Sequence, residues 1–239
     1  MIRVSDISKS FGKSRILDGL TIDLNQGRSV ALIGPNGSGK TTFIKCLLGL
    51  CIPDKGTIEV SGQNIKGAWE YRNQIGYMPQ IGRYPDNITV RHMIEMIQGI
   101  RYPGKNDPDP ELYESFDIRS FEHKTMQSLS GGMRQKVSAC VAFMFNPDIL
   151  ILDEPTAGLD PVSSEILKEK VIREQQKGKL ILITSHILTD LEDIASDIAF
   201  IHEGKLIFFK SAEALKQETG TTQLSRSIAQ IMQQNKYYA

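Results

Sequence analysis

Residues 34–41 are the stretch of this chain whose types and spacing point most directly to chemistry. They read Gly34-Pro35-Asn36-Gly37-Ser38-Gly39-Lys40-Thr41, a complete match to G-x-x-x-x-G-K-[ST]. Glycines at this spacing let successive backbone N–H groups turn inward around phosphate oxygens. The ammonium of Lys40 suits the β- and γ-phosphates, and the hydroxyl of Thr41 suits Mg²⁺. We predict a nucleoside triphosphate site from Gly34 to Thr42, against the alternative of a glycine-rich turn that binds nothing.

The elements on either side of this loop have the order that phosphate binding requires. Ser29 to Ile33 is a short, β-branched apolar run, which is typical of a buried parallel strand. After the loop, Phe43, Ile44, Leu47 and Leu48 follow a helical pattern. A helix that begins near Gly39 adds its positive N-terminal end to the phosphate site.

A pair of carboxylates follows a second predicted buried strand, Ile149 to Leu152. Asp153 is the natural Mg²⁺ partner of Thr41, directly or through water, and Glu154 is placed to orient or deprotonate an attacking water. Such a pair can also be only a helix cap. Its position after a core strand, in a chain with a phosphate loop, favours the chemical role.

Three weaker signals are also candidates for the site. His186 follows the predicted strand Lys179 to Thr184, at the end of a parallel strand where open α/β sheets bind ligands. Ser130-Gly131-Gly132 begins a predicted helix and offers a cap hydroxyl with free N–H groups, although many helices begin this way. Phe11 could stack on an adenine face or plug a hydrophobic core, and its own surroundings leave both open.

Composition narrows the class of protein. The 239 residues carry 28 basic and 28 acidic side chains, so no net charge favours nucleic acid, and 40% are hydrophobic, enough for a core. No run approaches the roughly 18 apolar residues of a membrane helix, and the N-terminus does not resemble a signal peptide. We therefore expect a cytoplasmic protein that meets membranes only through a partner. The cysteines, Cys46, Cys51 and Cys140, lack metal-ligand spacing.

The rest of the chain reads as an alternation of strands and helices. Predicted strands are Ile2–Ile7, Leu20–Leu24, Gly56–Val60, Asn73–Met78, and two edge strands, Ala195–Ile201 and Lys205–Phe209, joined by a tight Glu203-Gly204 turn. Predicted helices are Val90–Ile100 with Asn87 and Thr89 as capping candidates, one from Ser130 through Phe145, and Val162–Gln176. Residues 8–17 and 103–110 are predicted turns, and the stripe Leu224, Ile228, Ile231 and Met232 is predicted to pack on its own domain.

Taken in order, these motifs resemble the nucleotide-binding subunits of ATP-binding cassette (ABC) transporters, from Ile2 to about Phe209. Gln80 lies at the family's γ-phosphate and magnesium loop, and Asp153-Glu154 at its Walker B strand. Leu129 to Met133 is similar to the signature sequence. Ala157-Gly158-Leu159-Asp160 is similar to the D-loop, His186 to the switch histidine, and Phe11 to the adenine-stacking aromatic.

The resemblance implies the fold and the ligands. The fold would be a P-loop NTPase core of the α/β class, with a mostly parallel sheet, an antiparallel β-subdomain and a helical insertion. Residues 1–239 would form one ATP-binding domain, with a helical subdomain at about 81–145 and a helical tail at about 211–239. ATP and Mg²⁺ would be the cofactors, with Thr41, Gln80 and Asp153 on the metal.

The resemblance also implies a mechanism and partners. Glu154, Gln80 and His186 would act in hydrolysis, and two subunits would form a head-to-tail homodimer. In that dimer Ser130-Gly131-Gly132 of one subunit would meet the ATP of the other. A separate integral membrane permease would be driven, with this subunit peripheral on the inner face of the membrane. One departure is Met133, where the family usually has Gln, so that a polar side-chain contact there is in doubt.

Within the family, residues 87–91 and 129–136 are most similar to single-cassette ATPases that serve ABC-2-type exporter permeases. Residues 131–170 further resemble NosF, the ATPase linked to assembly of the copper sites of nitrous-oxide reductase. An alternative is a soluble ABC-type ATPase that acts on ribosomes or nucleic acid. The single cassette and the lack of a basic stripe weigh against it. A GTPase or small-molecule kinase is disfavoured because the chain has no guanine-reading motif and would not need Ser130-Gly131-Gly132.

Overall fold

The computed structural model describes residues 1–101 and 108–234. The strands are β1 (Ile2–Phe11), β2 (Ser14–Leu24), β3 (Ser29–Ile33), β4 (Lys55–Val60), β5 (Gln63–Asn64), β6 (Ile75–Met78), β7 (Ile149–Asp153), β8 (Leu180–Thr184), β9 (Asp197–His202) and β10 (Lys205–Ser211). The α-helices are α1 (Lys40–Leu47), α2 (Val90–Arg101), α3 (Glu111–Ser115), α4 (Gly131–Phe143), α5 (Pro161–Gln176), α6 (Ala212–Thr219) and α7 (Leu224–Gln234). Short 3₁₀ helices cover Glu70–Gln74, Ile118–Ser120, Met126–Ser128 and Leu188–Leu191.

The described strands form two sheets. The larger has the order β10-β9-β3-β8-β7-β6, in which β9, β3, β8, β7 and β6 are mutually parallel and β10 is antiparallel at the edge. The smaller sheet is antiparallel, with the order β2-β1-β4-β5. The predicted mostly parallel sheet with an antiparallel β-subdomain is therefore confirmed.

The central strands β3, β7 and β8 are buried at every position because both of their faces are covered. In β3, Val30 and Leu32 join the core cluster that includes α1 and the antiparallel sheet. Ala31 and Ile33 join the cluster on the other face, with residues of α2, α4 and α5. β7 and β8 divide their side chains between the two clusters in the same way. This double burial keeps the carboxyl ends of β3, β7 and β8 side by side, since they are neighbours in register.

Some sequence predictions about elements are wrong. Residues 8–17 were predicted as a turn-rich segment, but β1 and β2 extend through them as a hairpin that turns between Phe11 and Ser14. Ala195–Ile201 was predicted as an edge strand, yet β9 lies inside the sheet between β10 and β3. The start of the predicted strand Asn73–Met78 is instead part of a 3₁₀ helix.

Other predictions are confirmed. Thr89 caps α2 by accepting a hydrogen bond from the backbone N–H of His92 at 3.2 Å. Glu203 and Gly204, both with positive φ, form the turn between β9 and β10. The apolar stripe of α7 is buried in the same core cluster as the central sheet. Part of the predicted 103–110 turn, residues 103–107, lies outside the described residues, as does the end of the tail. Among the residues described, no helix has the length and apolarity needed to cross a bilayer.

Candidate ATP site

One cavity of about 540 Å³ lies at the carboxyl ends of the parallel strands. Residues of the glycine loop, the loop after β6, the end of β7 and the segment after β8 surround it. Its lining consists of Ile16, Asn36, Gly37, Ser38, Gly39, Lys40, Thr41, Thr42, Gln80, Asp153, Glu154 and His186. The structure thus brings most of the predicted site residues together, although they come from four separate parts of the chain.

The glycine loop has a shape that only glycine permits at two positions. At Gly34 a Cβ atom would lie 2.0 Å from the carbonyl oxygen of Ile201. Gly39 has φ of 108°, and its Cβ would lie 2.8 Å from the carbonyl oxygen of Ile16. Gly39 is also the residue before α1, so the loop ends directly at the positive end of that helix. This geometry suits a phosphate chain, because the glycine loop leads directly into the positive end of α1.

Lys40 and Ser38 supply polar side chains to the same loop. The Lys40 ammonium donates to the carbonyl oxygens of Gly34, at 2.7 Å, and Pro35, at 3.0 Å. Burial lowers the pKa of Lys40, and the nearby carboxylates of Glu154 and Asp153 oppose that shift. The buried hydroxyl of Ser38 has no hydrogen-bond partner among the described residues. A buried polar atom beside a nest of N–H groups fits an anionic oxygen, so these residues fit a bound triphosphate.

Glu154 has an unusual backbone and a well-defined carboxylate. Its φ is 54°, a conformation that a non-glycine residue adopts only where its surroundings hold it. One carboxylate oxygen, Oε2, lies 2.7 Å from Nδ1 of His186 and accepts the backbone N–H of His186 at 3.3 Å. Nδ1 must carry a proton to donate to this carboxylate, which leaves Nε2 of a neutral ring as an acceptor.

Asp153 is the last residue of β7 and is 6% exposed. Its Oδ1 accepts a hydrogen bond from the hydroxyl of Thr184, the residue paired with it in β8. Burial, together with the charge of Asp153, raises the pKa of Tyr77 to about 12, so Tyr77 stays neutral beside the carboxylate. Thr41, Gln80 and Asp153 line one cavity with oxygen-bearing side chains, which are the ligands that Mg²⁺ prefers.

The sequence profile of ABC transporters matches residues 17–157, more than half of the chain. The chain belongs to the ABC transporter family. It is an ATP-binding ABC transporter ATPase. The cavity brings together the residues predicted for its phosphate loop with Asp153, Glu154 and His186.

Similar proteins cover nearly the whole chain. The uncharacterized ABC transporter ATP-binding protein YhaQ of Bacillus subtilis (strain 168) is 33% identical over 224 residues, which span 92% of this chain and 74% of that protein. The Nod factor export ATP-binding protein I of Paraburkholderia xenovorans (strain LB400) is 34% identical, over 90% of this chain and 72% of that protein. The daunorubicin resistance ATP-binding protein DrrA3 of Streptomyces coeruleorubidus is 33% identical, over 92% of this chain and 71% of that protein.

Solved structures give the same result for the fold. A structure of an ATP-binding subunit of an ABC transporter has a TM-score of 0.88 and 28% identity, over 97% of this chain and 99% of that one. A dimeric bacterial ABC transporter cassette has a TM-score of 0.79 and 21% identity, over 88% of this chain and 98% of that one. The predicted ABC ATPase fold is therefore confirmed.

Some predicted site residues lie outside the cavity of this ABC subunit. Gly34 and Pro35 do not line it, and their carbonyl oxygens accept hydrogen bonds from Lys40. Phe11 is at the end of β1 and is 55% exposed, with the ammonium of Lys9 5.4 Å from the ring centroid. A ring this exposed does not plug a core, so that alternative is wrong for Phe11. Adenine stacking remains a prediction.

The signature residues are also separate from the cavity. The hydroxyl of Ser130 caps α4 by accepting from the backbone N–H of Met133 at 3.2 Å, as its position before a helix predicts. Ser130 and Gly131 are exposed. The side chain of Met133 packs against the hydrophobic core, which explains how the chain accommodates methionine where the family usually has glutamine.

Sequence reasoning missed three residues that build this site. Ile16 lines the cavity from the hairpin that was predicted as a turn. Gln135 is buried in α4, and its amide donates to the carbonyl oxygens of Glu154, at 3.1 Å, and Pro155, at 3.3 Å. Thr184 contacts Asp153 and Glu154. For Thr184 the usable signal was polarity, because it is the polar residue of an otherwise apolar buried strand. Gln135 gave no such signal, because Arg134 and Lys136 flank it in α4.

Proposed function

We propose that this chain is the ATP-hydrolysing subunit of an exporter, in which it drives a separate membrane permease. The observation that carries the proposal is the convergence of Lys40, Gln80, Asp153, Glu154 and His186 on one cavity at the carboxyl edge of the sheet. Residues 1–239 would act as one ATP-binding domain, with α2, α3 and α4 in its helical part.

The phosphate loop binds and orients the triphosphate. Backbone N–H groups of the loop other than that of Ser38, which donates to Pro35, would surround the phosphates with the positive end of α1. Lys40 would neutralise the negative charge of the phosphates. Thr41, Gln80 and Asp153 would hold Mg²⁺, which when bound neutralises charge on the β- and γ-phosphate oxygens. Phe11, exposed near Lys9, offers a face for stacking on the adenine.

Glu154 and His186 act on the attacking water. Glu154 is 9% exposed and lines the cavity, so it can orient the water and take its proton. His186 donates its Nδ1 proton to Oε2 of Glu154, which fixes the carboxylate. A hydrogen bond from Nε2 to a γ-phosphate oxygen would require a proton on Nε2 as well, because phosphate oxygens only accept. Most of the His186 side chain, 67%, is exposed, so the ring is free to meet a ligand.

Two copies would complete the site. Ser130, Gly131 and Gly132 do not line the cavity of their own chain. Ser130 and Gly131 are exposed at the positive end of α4, and Gly132 is half-buried. In a head-to-tail homodimer they can instead meet the ATP of the other subunit, and the dimeric cassette of similar fold makes such pairing reasonable. Binding of ATP would then close the dimer and hydrolysis would reopen it, which is a ligand-biased two-state change.

The names of similar proteins favour a role in export. They refer to Nod factor export, daunorubicin resistance and bacitracin transport. These names favour a partner permease of the exporter type, with this subunit at the inner face of the membrane. They lend no support to the resemblance of residues 131–170 to NosF, and we do not propose a role in copper-site assembly. The equal numbers of acidic and basic residues support a protein partner over nucleic acid.

Substitution of Lys40 tests the proposed site. Lys40→Ala should lose most ATPase activity and bind ATP more weakly, because the phosphates lose the half-buried cation that neutralises them. Lys45→Ala is the matched control, since Lys45 is an exposed lysine in the same helix. Turnover by purified protein and ATP affinity from a fluorescent analogue are the measurements. Normal turnover in Lys40→Ala would remove the phosphate-loop assignment.

A further inference from the structure

The hydroxyl of Thr184 joins the two carboxylate residues of the site. It donates a hydrogen bond to Oδ1 of Asp153. It also accepts the backbone N–H of Glu154 at 3.0 Å, while the carbonyl oxygen of Thr184 accepts the same N–H at 3.2 Å. One side chain of the neighbouring strand therefore contacts the carboxylate of the first residue and the backbone of the second.

The donor and acceptor capacity of a hydroxyl fixes the direction of both bonds. A threonine hydroxyl has one proton to donate, and an ionised carboxylate can only accept. The proton therefore points at Asp153, and a lone pair faces the N–H of Glu154. As a result, Oδ1 of Asp153 is held by Thr184, and Oδ2 is the oxygen that this bond leaves available to a metal ion.

The backbone contact matters because Glu154 has φ of 54°. A non-glycine residue stays in this region only when nearby groups hold it there. Thr184 holds the N–H side of Glu154, and Gln135 holds its carbonyl oxygen at 3.1 Å. Thr184 is 1% exposed and ends β8 opposite Asp153, so its hydroxyl has little room to turn elsewhere.

We infer that Thr184 is a positioning residue for hydrolysis, which sets the metal-facing oxygen of Asp153 and the direction of Glu154. This inference rests on the roles proposed above for Asp153 and Glu154. Removal of a group that orients a metal ligand typically costs about 10- to 100-fold in metal affinity or activity. Nucleotide binding without metal should be unaffected, because Thr184 does not line the cavity.

The test compares three substitutions of Thr184 with a packing control. Thr184→Val keeps the branched shape and removes the hydroxyl, Thr184→Ala removes both, and Thr184→Ser keeps only the hydroxyl. Ile183→Val removes one buried methylene group from the same strand. Mn²⁺ binding, followed by electron paramagnetic resonance with a non-hydrolysable ATP analogue, gives a readout that does not depend on turnover.

The expected result is that Thr184→Val and Thr184→Ala weaken Mn²⁺ binding about 10- to 100-fold and lower kcat to a similar extent. Thr184→Ser should stay close to wild type, as should Ile183→Val and the affinity of every variant for ATP in EDTA. If the valine variant does not fold, the serine and alanine variants still isolate the hydroxyl. Unchanged Mn²⁺ binding in the alanine variant, or equal impairment of serine and alanine, would overturn the inference.

Asp153→Asn separates this inference from the proposal on which it rests. If Asp153→Asn binds Mn²⁺ normally, the metal role of Asp153 is wrong and the inference falls with it. If Asp153→Asn weakens binding while Thr184→Val and Thr184→Ala do not, only the role of Thr184 is wrong.

Discussion

Lys170 is a buried cation whose removal should destabilise the fold. It lies in α5 and its side chain is 1% exposed. The ammonium is 2.6 Å from Oδ2 of Asp109, 2.7 Å from Oε2 of Glu111 and 3.2 Å from Oε1 of Glu174. These contacts join α5 to the segment that begins α3.

Lys170→Met removes the charge and keeps most of the side-chain volume. Breaking a buried ion pair from one side costs about 3–5 kcal/mol. Asp109 and Glu111 have side chains 25% and 36% exposed, so water can partly replace their contacts, whereas Glu174 is 1% exposed. Glu174 keeps Lys177 and Lys179 as partners. We therefore expect Lys170→Met to lower the free energy of unfolding by about 3 kcal/mol, the lower end of that range. For a chain of this size that loss should lower Tm by about 6–12 °C.

Lys177→Met is a close control for this prediction. Lys177 contacts the same oxygen of Glu174, at 2.8 Å, but its side chain is 57% exposed. An exposed ion pair contributes at most about 1 kcal/mol, so this variant should be nearly as stable as wild type. Urea unfolding of both variants at pH 7 is the assay. A loss below about 1 kcal/mol in Lys170→Met, or equal losses in the two variants, would refute the reasoning.

The pH dependence gives a second check on the same network. Burial alone would raise the pKa of Glu174, but hydrogen bonds from Lys177 and Lys179 and the charge of Lys170 lower it to about 2. Because the folded value lies below the usual 4.5, Glu174 stabilises the fold above that value. The contribution is lost as pH falls from about 5 to 2. The stability difference between wild type and Lys170→Met should therefore shrink over this range.

Three further predictions concern the site and the thiols. Phe11→Ala should raise the Kd for ATP several-fold with little change in Tm, since ring stacking adds about 0.5–1.5 kcal/mol to binding. Phe11→Tyr should be nearly neutral because it keeps the ring. A lower Tm with an unchanged Kd in Phe11→Ala would contradict the stacking role. His186→Ala should lower kcat by about 10²- to 10⁴-fold with near-normal ATP affinity, because the carboxylate of Glu154 loses its 2.7 Å hydrogen bond from His186. An unchanged kcat would show that His186 has no role in hydrolysis. Iodoacetamide at pH 8 should modify Cys51 before Cys46, because Cys46 is buried and burial raises the pKa of its thiol to about 12. Mass spectrometry that finds Cys46 modified first would contradict this order of reactivity.

Much of the phosphate side of the site could be predicted from sequence because its residues are contiguous. Residues 34–39 lie between β3 and α1, and Lys40 and Thr41 begin α1, so local geometry alone places all of them. Asp153, Glu154 and His186 follow continuous apolar runs, and parallel strands align their carboxyl ends at one edge of a sheet. This alignment of strand ends was enough to predict that Asp153, Glu154 and His186 meet near the phosphate loop.

Other features could not be predicted because they depend on contacts between distant residues. The hairpin over residues 8–17 contains glycine and polar residues that favour turns locally, but β1 also pairs with β4, and that tertiary pairing favours strand. The roles of Gln135 and Thr184 depend on which strand or helix lies beside Glu154. The positive φ of Glu154 has no local sequence signal either, since nothing about glutamate favours it.

The most direct test of the account is a mixing experiment on the composite site. Glu154→Gln should bind ATP but hydrolyse it very slowly, and Ser130→Arg should block closure onto the ATP of the other subunit. In a head-to-tail heterodimer of the two variants, one site carries both substitutions and the other carries neither. The assay is ATP turnover of an equal mixture, in the assembled complex or at high protein concentration. Mixing should restore about a quarter of wild-type turnover, from one intact site in half of the dimers. No recovery, with dimers shown to form and exchange subunits, would contradict the composite site.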